Sequence, residues 1–213
     1  MAALAPEYLV ILKKVLGERF VPHLPRLLDE RRPPEEQTAQ QASRAFSAFA
    51  LHKLLGLTPR EAAAAVVDDF QDRGLDAIYY HSRSETLYLV QAKLKATDQF
   101  KQDEALAFCD GVRTLLRQDF AAFNAHVQKR QTEIEEALDA CSHIQLVVLY
   151  AGDGVTQPAK DALDALLNDD GLDDERIVKN IRYYAADDIT RDLLAEQAYP
   201  SVNTDIRLQK SQK

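Results

Sequence analysis

The stretch "HIQLVVLYAG", residues 143 to 152, carries an unbroken apolar run from Leu146 to Ala151. Alternate side chains of a strand point to opposite faces, so a strand with no polar alternation needs cover on both sides. Interior strands of a sheet flanked by helices have this property. The rest of the chain supplies the helices. Pro6 to Arg19 reads as a first helix, and "VPHLPRLLDERRPPEE" after it, rich in proline and charge, reads as a connector. From Glu35, Ala39, Ala42, Phe46, Phe49, Ala50 and Leu54 recur at three- and four-residue steps up to Gly56, which marks one buried helix face. In "LTPREAAAAVVDDF", Thr58 is an N-cap with Pro59 at the first helical position and Glu61 closing a capping box. A long helical pattern begins after Thr97 and keeps one face from Ala105 to Leu138, as one helix or as two with a break near Asn124. Pro158 to Leu167 and Asp187 to Gln197 read as further helices, with "RIVKNIRYYAA" as a strand between them. The order predicts an α/β fold whose mixed sheet is covered by helices on both faces.

Two strands remain, and they carry the chemistry. "LDAIYYH" and "TLYLVQAKL" are β-branched, aromatic and aliphatic, and the polar "SRSE" between them has hairpin length, so an antiparallel pair is expected. Gln91 and Lys93 then share one face of the second strand, and Asp76 at the start of the first lies near them. A carboxylate, an amide oxygen and an ammonium converging at a sheet edge suit phosphodiester hydrolysis. The two oxygens can hold a hard divalent ion, and the lysine can orient the attacking water and offset charge on the phosphate.

On these residues, "GLDAIYY" and "LYLVQAKLK" resemble the PD-(D/E)XK, or restriction-endonuclease-like, nuclease superfamily in the QxK variant of Mrr-type enzymes. Asp76 matches the family's Asp, Gln91 stands where its second acidic ligand usually sits, and Lys93 matches its lysine. The preceding "FSAFALHKLLGL" and "DDFQDRGLDAIYY" are also similar to the N-terminal region of abortive-infection phage-resistance proteins, which are longer than 213 residues. The resemblance implies a restriction-endonuclease-like core and a Mg²⁺- or Mn²⁺-dependent nuclease acting on DNA or RNA in defence against phage or foreign DNA. It implies metal contacts from Asp76, Gln91 and the main-chain carbonyl of Ala92, with a further ligand from Glu36 or Glu35. Nuclease residues are then expected over 35–197, with 1–34 as an N-terminal helix and connector. The tail from 198 would be the cut edge of a longer protein with further C-terminal domains, and two copies would pair to cut both strands. Leu75 replaces the family's usual proline. Gln91 is neutral, so metal would be held more weakly unless other carboxylates compensate, for which Asp69 and Asp72 lie just upstream. The alternative is a fold that has lost its metal and serves protein contact or dimerisation.

Charge and composition bound the reading further. The net charge of −8 argues against a protein that coats nucleic acid, because such binding rests on neutralising phosphates. A nuclease needs only a local basic rim, for which Arg83, Lys95 and Lys101 are the candidates. The apolar run near the N-terminus, Tyr8 to Leu12, meets Lys13 and Lys14 at once, so no signal peptide or membrane span is expected and a cytoplasmic location follows by default. Cys109 and Cys141 lack metal or redox spacing and read as small apolar residues. The five histidines show no zinc pattern, "YAGDGV" lacks the glycine spacing of a phosphate cradle, and "NDDGLDDE" lacks the closing glutamate of a calcium loop, so both loops read as turns. "HSRS" and "CSH" lack the spacing of a catalytic triad.

Overall fold

A computed structural model of the chain describes residues 2–169 and 174–198. The centre of "NDDGLDDE", 170–173, and the tail from 199 lie outside the described residues. Four strands, β1 (Ala77–His81), β2 (Thr86–Lys93), β3 (His143–Tyr150) and β4 (Arg182–Tyr184), form one sheet in the order β1-β2-β3-β4. The hairpin is antiparallel, with Ala77 opposite Val90 and His81 opposite Thr86. β2 pairs parallel with β3, and β3 with β4, so the sheet is mixed as its apolar patterns require. The turn of the hairpin is a short 3₁₀ segment, Ser82–Ser84, closed by Glu85 in the left-handed conformation at φ 47°.

Helices cover both faces. On one, α4 (Gln102–Leu116) and α7 (Gln157–Leu167) pack Phe108, Val112 and Leu163 onto Leu87, Leu89, Leu146 and Val148. On the other, α1 (Pro6–Arg19), α2 (Pro34–Leu55) and α8 (Ala186–Ala198) pack Leu12, Phe49 and Ile189 onto Tyr88, Val90, Val147 and Leu149. The successive residues Leu146 to Leu149 therefore alternate between two cores, which is why β3 reads as a continuous apolar run. Burying a large apolar side chain stabilises by about 1.5–3 kcal/mol. The N-terminal segment belongs to this body. Leu12, Leu16 and Phe20 are fully buried, the rings of Phe20 and Phe49 meet edge-on at 5.9 Å, and the Leu4 N–H donates to the Ala151 carbonyl at 2.8 Å.

Local signals in the chain account for most boundaries. α2 ends on Gly56 at φ 69°, whose N–H donates to the His52 carbonyl. α3 (Pro59–Ala64) starts with the expected capping box: Thr58 N–H donates to Glu61 Oε2 at 2.8 Å and Glu61 N–H to Thr58 Oγ1 at 3.2 Å. Two expectations change. The long helical pattern is three helices, α4, α5 (Ala125–Lys129) and α6 (Gln131–Ala140), because the chain turns at Gln118, with φ 58°, and Asn124 starts a new helix as its cap. The strand in "RIVKNIRYYAA" shortens to Arg182–Tyr184, with one isolated bridge from Ile177 to Ile144, because the chain bends at Asn180, whose N–H donates to the Val178 carbonyl. Among the described residues no helix is long and apolar enough to cross a membrane.

Candidate metal centre

Asp76 immediately precedes β1, and its N–H donates at 2.8 Å to the carbonyl of Val90, the residue opposite Ala77, which ties Asp76 to β2. Strand alternation places Gln91 and Lys93 on the α4 side of the sheet, with Leu87 and Leu89. Asp76 joins them at the same end of the hairpin through the Ala92 N–H. Asp76 is buried, and its Oδ2 accepts from the Ala92 N–H at 2.5 Å. Ala92 therefore touches the site through its N–H.

The segment between α3 and β1 folds two more carboxylates onto Asp76. One oxygen from each of Asp68, Asp72 and Asp76 lies within 4.8 Å of the others. Their four-residue spacing is not helical. It arises from a tight turn in which Gln71, Arg73 and Gly74 all take positive φ, between 54° and 73°, and in which Asp72 Oδ1 accepts from the Gly74 N–H at 2.7 Å. Asp69, one of the two compensating residues expected, turns the other way. Its carboxylate accepts from the Leu28 and Phe70 N–H groups at 2.9 and 2.8 Å and faces His126 Nε2 at 3.6 Å. Asp68 takes its place in the cluster.

Burial raises all three carboxyls. Asp76 is pushed well above the usual carboxylate range by desolvation and by the charges of Asp68 and Asp72, against which the Ala92 N–H works. Asp68 is pushed up to about 7 by desolvation and by Asp72, partly offset by Arg44. Asp72 is raised mainly by desolvation, although the Gly74 and Asp69 N–H groups oppose it. Arg44, fully buried on α2, donates from Nε to the Asp68 carbonyl at 2.7 Å and is the nearest fixed cation.

Gln91 is 8% exposed, and its Oε1 is buried with no hydrogen-bond partner. It lies over Gly74, where an added Cβ would come within 2.6 Å of it. Buried amide oxygens normally find donors, and this one lies over the turn that carries Asp72 and Asp76. The donor set, all hard oxygen, fits Mg²⁺ or Mn²⁺. Lys93 pairs through Nζ with Glu104 Oε1, while Glu104 Oε2 accepts from the Lys101 N–H at 2.5 Å at the start of α4. Glu104 was not legible in the sequence, because it reaches Lys93 only through the packing of α4 against β2.

The other candidates separate. Glu35 and Glu36 are exposed on the first turn of α2, outside the carboxylate cluster. One turn further in, Gln40 carries a buried Oε1 without a partner. Lys95 and Lys101 come together with Lys93 around Asp98, whose carboxyl is lowered first by its hydrogen bond to Lys95. Arg83 sits in the hairpin turn, at the opposite end of β1 from Asp76, and cannot share their rim. Cys109 and Cys141 are free and buried, as their spacing implied.

Compared with protein-family models, with curated proteins and with solved structures, the chain has no match.

Proposed function

We propose that the chain is a metal-dependent nuclease with a restriction-endonuclease-like core, cleaving phosphodiester bonds of DNA or RNA, with a part in defence against foreign nucleic acid as the resemblance implies. One observation supports the reading: Asp76, buried within a three-carboxylate cluster, is tied to the Ala92 N–H between Gln91, whose buried amide oxygen has no partner, and Lys93.

Asp68, Asp72, Asp76 and the Gln91 amide would hold Mg²⁺ or Mn²⁺, and when bound such an ion polarises a phosphate and lowers the pKa of water. Asp76 is aimed by the Ala92 N–H. The ammonium of Lys93, positioned by Glu104, orients the attacking water and offsets charge building on the phosphate oxygens. Arg44 holds the backbone of Asp68 in place. Four oxygen donors, three of them charged, answer the deficit left by a neutral Gln91.

The test is cleavage of plasmid and of labelled oligonucleotides with Mn²⁺ or Mg²⁺ by the wild type, Asp76→Ala and Lys93→Ala. Loss of cutting in both variants with unchanged circular dichroism supports the reading, and equal cutting by the variants would overturn it.

A further inference from the structure

At the end of β2, on the side of the sheet covered by α1 and α2, the chain opens into a cleft of about 490 Å³ that Lys93 also lines, although its ammonium turns to Glu104 of α4. Its floor is apolar, from Leu9, Ala42 and Leu94, and its charged lining is Lys13, Lys93 and Lys95, with no carboxylate. In a chain of net charge −8 that is a local reversal of sign. Lys93 and Lys95 are ion-paired with Glu104 and Asp98 respectively, and Lys101 adds its charge around Asp98 outside the lining, which leaves Lys13 as the uncompensated charge of the cleft. Lys13, exposed on α1, makes no ion pair among the described residues. A second hollow on the far side of Lys13 carries Glu35 in its lining and suits a polyanion less well.

Resting on the nuclease reading above, we propose that this cleft receives one nucleotide of a single strand, or of a frayed end, next to the scissile phosphate. Lys13 and Lys95 hold the flanking phosphates, and the apolar floor takes the base and sugar. Size selects the substrate: a pocket of this volume admits a small molecule's worth of atoms, whereas a continuous duplex keeps its bases stacked inside and offers only backbone to the opening. Cations at the mouth then bind the phosphates without reading sequence, so the preference is for strandedness and not for a base. The N-terminal helix thereby becomes a wall of the substrate site.

The test uses the full chain carrying Asp76→Ala, which is not expected to cut, and fluorescein-labelled oligonucleotides of one sequence as single strand and as blunt duplex, read by anisotropy. The single strand is expected to bind at least about tenfold more tightly. Lys13→Glu is expected to weaken it about fivefold or more, and Lys13→Ala to lower the slope of log affinity against log salt by about 0.7, the loss of one single-strand phosphate contact. Lys13 is exposed, so both variants are expected to keep the wild-type circular dichroism. Equal or tighter binding of duplex, or affinity unchanged by Lys13→Glu, overturns the inference. Cleavage by the wild type is scored separately. Cutting of both substrates at one rate would leave the nuclease reading standing and the cleft assignment overturned, while Lys13-dependent single-strand binding without any cleavage would do the reverse.

Discussion

Two buried amides in this molecule are treated in opposite ways. Asn124, 2% exposed, has its hydrogen-bonding capacity closed: its Nδ2 donates to the Val67 carbonyl at 2.8 Å, and its Oδ1 accepts from the His126 and Val127 N–H groups at 3.0 and 3.2 Å. Gln91, 8% exposed, leaves its oxygen without a donor over Gly74, in the turn that carries two of the three clustered carboxylates. Both amides bear on the segment between α3 and β1, so burial alone does not separate them. Asn124 spends its polarity on backbone groups, whereas the oxygen of Gln91 is held open.

The comparison can be broken at several points. The largest effect is expected on catalysis, where Asp76→Ala should lower Mn²⁺-dependent cleavage by a factor on the order of 10² to 10⁴, with Asn124 variants that remain folded retaining their activity. Next comes Asn124→Ala, which strips a cap and leaves the Val67 carbonyl unpaired. Chemical denaturation should show a loss of about 2–3 kcal/mol.

A third, intermediate effect is on pH. Asp68, at about 7 in the folded chain, starts near 4 when unfolded, so the folded state binds the extra proton in between. The stability it contributes is full below about pH 4 and is lost as pH rises through about 7. Without divalent ions the melting temperature should therefore fall between pH 5 and pH 8, by on the order of 5 °C, and saturating Mn²⁺ should remove most of that fall. A melting curve that rises with pH in metal-free buffer would contradict the cluster.

Thr58→Ala, which opens an exposed and satisfied capping box, sets a baseline of about 1 kcal/mol in the same denaturation assay. Smallest of all, Gln91→Leu should cost less than about 1 kcal/mol in metal-free protein, since it removes an oxygen that bonds to nothing. In the same variant the stabilisation by Mn²⁺ should shrink. A Gln91→Leu loss as large as that of Asn124→Ala would make the two amides alike and end the distinction.

The hairpin and its Asp76, Gln91 and Lys93 were legible because alternation by two fixes which side chains share a face, whatever packs on them. Lys95 and Lys101 were legible for a similar reason, being close along the chain to Lys93. Asp68 was not. Its place depends on left-handed residues at Gln71 and Arg73, which are not the residue types that advertise positive φ, and the same turn sends Asp69 away to Leu28. Glu104 and Lys13 reach the site through tertiary packing, and no local pattern marks them. Arg83 lies away from that rim for a geometric reason: the five residues of β1 separate it from Asp76, and the eight of β2 run from its turn to Lys93.

Gly74 has a consequence for how freely this chain can change. Any side chain there would meet Gln91 Oε1 at 2.6 Å, the Phe108 N at 2.7 Å and the Ala107 carbonyl carbon at 2.8 Å, on a backbone at φ 73°. Two of those obstacles are main chain of α4 and cannot step aside, so the position is closed to every other residue type. In a saturation library selected for folding alone, Gly74 should rank among the least tolerant sites, while Gln91, free to vary for folding, would be fixed only when selection is for activity. The site's innermost wall is thus held by inheritance of shape, and its chemistry by inheritance of use.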